Sequence, residues 1–124
     1  MIKRFWHVGL TVENLDSAIE QYQNLGFNLV DKFEKDEPHA LAVEMKHPNG
    51  SGIELWQWFD QEHPQVEFIK NHVAFVSDNQ DEDVRLLVEQ GWEIVIPKTT
   101  GVKVNYVFLR DPSGNYIEIA DVKE

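Results

Sequence analysis

At 124 residues, with 42% apolar and 11% aromatic side chains, the chain is sized for one compact domain with a real core. A formal net charge of −11 argues against a nucleic-acid partner, which recruits basic surfaces, and against binding to an anionic membrane. Cysteine is absent, which rules out thiolate catalysis, disulfides and Cys-type zinc sites and fits a reducing compartment, so the expected location is the cytoplasm; no stretch has the roughly 20 apolar residues that a bilayer span needs.

The first strand is expected over 5–12. Lys3-Arg4 followed by FWHVGLTV has the look of a signal-peptide start, but the apolar run is short, contains His7 and meets Glu13 without a small-residue cleavage site, so it is read as a mature strand. Asn14 to Ser17 offer helix N-caps, and Leu15, Ala18, Ile19, Tyr22 and Leu25 recur at helical spacing until Gly26 closes the helix. Extended stretches follow near 27–34, 40–46 and 52–59, with Gly50 and Gly52 marking a turn. Residues 60–68, polar and broken by Pro64, read as a linker. A strand over 69–76 comes next, then caps at Asp78 to Asp81. A helical stripe of Val84, Leu87 and Val88 stops at Gly91, and stretches near 92–96, 103–109 and 115–121 complete the chain, with Asp111-Pro112-Ser113-Gly114 as a turn before the last.

The second half repeats the first. HVGLTVEN from His7 aligns with HVAFVSDN from His72, and Gly26-Phe27 and Gly91-Trp92 each lie 19 residues after the His. Pro48 and Pro112 each precede a Glu by 6, and that Glu, 54 or 118, follows its His by 47 or 46 residues. Two units of this kind are too few for a solenoid and too small to be stable alone, which points to one α+β domain with pseudo-twofold symmetry: a first βαβββ module over 1–59, the linker 60–68 and a second module over 69–124.

Strand alternation sorts the side chains. Val8, Leu10 and Val12, then Ile53 and Leu55, form apolar rows suited to packing under the helix, as do Val73, Phe75, Ile117 and Ile119 in the second half. His7, Thr11, Glu54, Trp56 and Trp58, with His72 and Glu118, take the opposite face. A Glu inside an apolar strand is disfavoured unless paired or metal-bound. His7, Glu54, His72 and Glu118 make an N2O2 donor set of net charge −2. It suits one divalent ion such as nickel, zinc, cobalt, manganese or iron, and leaves positions open for water or substrate. Trp56 and Trp58 would wall the pocket. His39, His47 and His63 have no repeat partners and sit beside prolines, as solvated loop residues would.

The segments HVGLTVENLDSAIEQYQNLGF, GSGIELW, NHVAFVSDN and DPSGNYIEIAD resemble the vicinal oxygen chelate superfamily, the glyoxalase, bleomycin-resistance and dioxygenase family, over the whole chain. The resemblance implies a curled mixed sheet forming a cup with helices on its convex face, a metal held in the cup, and in many members a homodimer in which His7 and Glu54 meet His72 and Glu118 of a second copy. Pairing of the two halves within one chain is the alternative. The ligand set looks most like glyoxalase I (lactoylglutathione lyase), which implies Glu118 as the catalytic base with Glu54 second, acting on a small oxygen-chelating substrate through proton abstraction and a metal-stabilised enediolate. Epimerases of the superfamily usually have Gln at the Glu54 position. Bacterial glyoxalase I usually carries Arg four residues after the first His and Asn four after the first Glu. Here Thr11 and Trp58 stand there, which favours a less anionic, more apolar substrate than glutathione conjugates, with Thr11, Trp56 and Trp58 contacting it. The alternatives are a non-catalytic bleomycin-resistance-type protein that sequesters an apolar or aromatic small molecule, and an extradiol-type dioxygenase.

Overall fold

The computed structural model describes residues 1–101 and 104–123. Among these the order is β1 (Ile2–Thr11), α1 (Leu15–Asn24), β2 (Asn28–Lys35), β3 (Ala40–Lys46), β4 (Gly52–Trp58), α2 (Val66–Ile69), β5 (His72–Ser77), α3 (Gln80–Glu89), β6 (Glu93–Thr100), β7 (Val104–Arg110) and β8 (Tyr116–Val122). The fold is α+β, with two βαβββ modules as the repeat predicts. Residue 103, the expected start of a strand, and residue 124, the end of the second module, lie outside the described residues. Among the described residues no helix is long and apolar enough to cross a membrane.

The chain divides into two compact units, His7–Asn71 and a second made of Met1–Trp6 with His72–Glu124, so β1 contributes to both. In the first unit the strand order is β2-β3-β4-β1. β1 runs parallel to β4 with Val8 opposite Ile53 and Gly9 opposite Glu54, while β2-β3 and β3-β4 are antiparallel. In the second unit the order is β1-β5-β8-β7-β6. β5 is parallel to β8, with Ala74 opposite Glu118, while β7-β8 and β6-β7 are antiparallel. Each unit thus has a mixed sheet.

Asn14 caps α1 from an extended conformation, its side chain accepting from the Ser17 N–H at 2.9 Å. The Gln57 side-chain oxygen accepts from the Leu15 N–H at 2.7 Å, so β4 satisfies a second amide at this helix end. Leu15 and Ala18 pack on Val43, Met45, Ile53 and Leu55, with Leu10, Val12, Ile19 and Tyr22 around them. Gly26 follows the helix at φ +99°, where an L side chain is strained. In the second unit Val84 and Leu87 of α3 pack on Val107, Leu109 and Ile119, with Phe75 and Ile117 beside them. Of the apolar rows expected from alternation, Leu10, Val12, Ile53, Leu55, Phe75, Ile117 and Ile119 belong to these two clusters.

Three expectations need correction. The strand expected from 69 begins at His72, because Ile69 ends the short helix α2. Val66 and Ile69, three residues apart on one helical turn, are both buried. The linker 60–68 therefore contains most of a helix. The stretch expected over 92–96 continues as β6 to Thr100, with register shifts along its pairing to β7 that let it pass Pro97.

Candidate metal centre

Each unit builds the same pair of donors. In the first, Glu54 stands opposite Gly9 on the parallel neighbour strand, and His7 is two residues before Gly9 on the same face. Its Nε2 lies 3.4 Å from Glu54 Oε1. In the second, Glu118 stands opposite Ala74, and His72, two residues earlier, places Nε2 3.2 Å from Glu118 Oε1. The opposing residue is small in both cases, which leaves room for imidazole and carboxylate to meet. All four side chains are buried: His7 at 0%, His72 at 4%, and Glu54 and Glu118 at 6% relative exposure. Buried carboxylates beside imidazole nitrogens are costly without compensation, and a divalent cation supplies it. The donors of each pair fit a metal in type, burial and proximity.

The surroundings of the two pairs differ. Trp56, two residues after Glu54, donates its indole N–H to Glu54 Oε1 at 2.6 Å. Two residues after Glu118 stands Ala120, which has no side-chain donor. On β3, Glu44 is the cross-strand partner of Glu54, and its Oε1 lies 3.2 Å from His7 Nδ1, outside hydrogen-bond alignment. On β7 the corresponding partner of Glu118 is Phe108, whose ring meets His72 edge-on at 4.9 Å. Glu44 was not among the sequence candidates. Its signal was available: a lone Glu among the apolar residues of β3, as for Glu54.

Trp56 and Trp58 stack face to face, 4.8 Å between centroids and 4° between planes, and Phe33 meets Trp56 edge-on at 5.5 Å. Ala40 and Ala42, opposite Trp58 and Trp56 on β3, are fully buried and leave space for the indoles. Trp58 donates to the Thr11 hydroxyl at 2.9 Å, and Thr11 donates to the Lys70 carbonyl at 2.6 Å. The Thr11 proton is thus committed to tying β1 to the end of α2. A cleft of about 620 Å³ opens beyond this chain, lined by Thr11, Trp58, Gln57, His63, Glu67 and Lys70 among others. His7, Glu54 and Trp56 do not line it. The structure therefore places Trp58 at a cleft and Trp56 against a donor carboxylate.

His39, His47 and His63, which have no counterpart in the repeat, lie outside the helices and strands as expected, and His39 is exposed. His39 lies 2.7 Å from Glu34 and against Phe59, His63 faces Glu37 at 3.6 Å, and the His47 ring meets Phe27 at 5.4 Å. The turn that leads into β8, and so to Glu118, is held by Asp111. Its carboxylate accepts from the Asn115 side chain and from the backbone of Asn115 and Ser113 at 2.8–3.0 Å. These bonds, that from the Asn115 side chain first, hold the carboxyl below its ordinary range.

No curated protein matches the sequence. A methylmalonyl-CoA epimerase from Mycobacterium tuberculosis has a similar structure, with a TM-score of 0.84, 24% identity and coverage of 99% of this chain and 90% of that one. A hypothetical protein of Bacillus halodurans superposes with a TM-score of 0.82 at 18% identity, covering 98% and 95%. A Streptomyces coelicolor methylmalonyl-CoA epimerase solved with 2-nitronate-propionyl-CoA gives 0.77 at 17%, covering 100% and 99%. At these identities the likeness establishes the fold. The sequence model of the Glyoxalase/Bleomycin resistance protein/Dioxygenase superfamily matches residues 4–119, and the chain belongs to that superfamily.

Proposed function

We propose that the protein is a metal-dependent lyase or isomerase of glyoxalase type that moves a proton on a small, oxygen-chelating substrate. His7, Glu54, His72 and Glu118 would hold one divalent ion, either within one chain or across a homodimer. The ion, when bound, supplies Lewis-acid stabilisation of negative charge on a substrate oxygen.

The observation that carries the reading is the equivalence of two buried His–Glu pairs. The indole N–H of Trp56 fixes one oxygen of Glu54. In this reading Glu118 is the group that takes the proton, with Glu54 second. Trp58 would present an apolar wall to the substrate, while the hydroxyl of Thr11 positions Trp58. The fold's likeness to methylmalonyl-CoA epimerases adds α-proton exchange on an acyl thioester to the chemistry worth assaying.

Elemental analysis of the purified protein, followed by assays with the methylglyoxal–glutathione hemithioacetal and with methylmalonyl-CoA, tests the proposal. Metal at one ion per site, turnover lost on chelation, and turnover lost in Glu118→Gln with the metal retained would support it. Full activity in Glu118→Gln would remove that residue as the base. The row formed by Phe33, Trp56 and Trp58 favours a second reading, sequestration of an apolar aromatic molecule without chemistry. Tight ligand binding by protein that takes up no metal would select it.

A further inference from the structure

The two pairs are equivalent in their donors and unequal in what stands behind the imidazoles. We infer that Glu44 is a positioning residue that fixes the tautomer of His7 and so prepares Nε2, rather than Nδ1, as the metal-binding atom. This rests on the reading of His7 as a ligand, although its first consequence can be measured without metal.

His7 is completely buried and lies between two carboxylates, with Nδ1 3.2 Å from Glu44 Oε1 and Nε2 3.4 Å from Glu54 Oε1. A neutral imidazole has one N–H and one lone pair. Placing the lone pair against a carboxylate oxygen is repulsive; Glu54 Oε1 already accepts the Trp56 indole N–H and lies farther from the ring than Glu44 Oε1, so Nδ1, beside Glu44, keeps the proton. Glu54 is the carboxylate that joins His7 in the donor pair, and Glu44 is the one that does not. With a cation bound beside Glu54, Nε2 turns its lone pair to the cation and Nδ1 carries the proton toward Glu44. The Nδ1 contact is off the in-line hydrogen-bond direction, so a small rotation of Glu44 on binding would complete it. Register makes the placement firm: Glu44 and Glu54 are direct cross-strand partners, and the side chains to either side of Glu44, Val43 and Met45, are buried in the core under α1. Carboxylates behind metal-bound histidines orient the ring and raise its basicity, and removing one typically weakens metal binding by 10–100-fold.

The second unit supplies the internal comparison. There Phe108 occupies the place of Glu44 and offers His72 only the edge contact of its ring. His7 and His72 should therefore differ: His7 is locked by charge and His72 by packing.

The test uses the full chain with ¹⁵N-labelled histidine. In metal-free protein, with the pH raised until the His7 signals stop moving, long-range ¹H–¹⁵N spectra should show His7 as the Nδ1–H tautomer, and Glu44→Gln should shift it toward a mixture while His72 stays unchanged. Competition titration with zinc should show affinity reduced ~10-fold or more in Glu44→Gln. Phe108→Leu should leave the His7 tautomer unaltered. If Glu44→Gln fails to fold, Glu44→Asp, which withdraws the carboxylate by one methylene, serves in its place. An unchanged His7 tautomer together with unchanged zinc affinity overturns the inference. A changed tautomer in a protein that binds no metal keeps the orienting role of Glu44 and overturns the metal reading instead.

Discussion

The bond between Trp56 and Glu54 can be measured as a coupling energy. Trp56→Phe removes the indole N–H that lies 2.6 Å from Glu54 Oε1 but keeps an aromatic ring to stack on Trp58 and meet Phe33. Both partners are only 6% exposed, so water cannot replace the lost donor. A buried hydrogen bond to a charged acceptor contributes about 1.5–3 kcal/mol. The smaller ring adds roughly 1 kcal/mol for the void it leaves. In a Glu54→Leu background no carboxylate remains to be stranded, so Trp56→Phe should cost only the void. The double-mutant cycle should therefore return a coupling of about 1.5–3 kcal/mol. The assay is urea unfolding of the four proteins with chelator present, so that metal binding does not enter the stability. For a chain of this size the coupling corresponds to roughly 5–12 °C in Tm. Additivity within about 0.5 kcal/mol would refute the claim that the indole holds the carboxylate.

Gly26→Ala should destabilise by about 2–3 kcal/mol, since its Cβ would meet His47 Nε2 at 2.8 Å and φ is +99°. Gly91→Ala, at φ +97° with nothing within 4 Å, should cost only about 1–2 kcal/mol, and equal urea midpoints for the two variants would contradict the steric account. Asn14→Ala removes the cap on α1 and should cost about 1 kcal/mol by the same measurement. Asp111 has its folded-state carboxyl held low by Asn115, so its contribution is present above the unfolded value and disappears as pH falls through the folded one. The difference in urea midpoint between wild type and Asp111→Asn should accordingly shrink on acidification; a gap that widened in acid would reverse the sign of that linkage.

The fold and the meeting of each His with its Glu were legible because the chain states them twice. His7 with Glu54 and His72 with Glu118 fall at matching offsets, and alternation assigns them to the face opposite Leu10, Leu55, Phe75 and Ile119. Comparison of two copies finds what the copies share and is blind to what distinguishes them. Glu44 escaped because Phe108 stands in its place, and the contrast between Trp56 and Ala120 acquires meaning only when the indole is seen on the carboxylate. The short helix α2 escaped for a related reason: it occurs only between the copies, and one turn is too brief for a 3.6-residue period to register. Thr11 lines the cleft, and what the sequence did not show is that its hydroxyl bonds Trp58 and Lys70, residues far from it along the chain.

β1 gives the molecule an indivisibility that its sequence repeat conceals. The repeat suggests a cut at the linker, yet residues 1–6 at the start of the chain are grouped with the second unit, where β1 stands next to β5. A fragment begun after the linker would present β5 as a raw sheet edge, with open amides and carbonyls along HVAFVS and no charge in that strand to deter pairing. Such a fragment is expected to self-associate through that edge, and adding back a peptide spanning residues 1–11 should suppress it. The duplication can be read as two modules, but it must be inherited, expressed and folded as one.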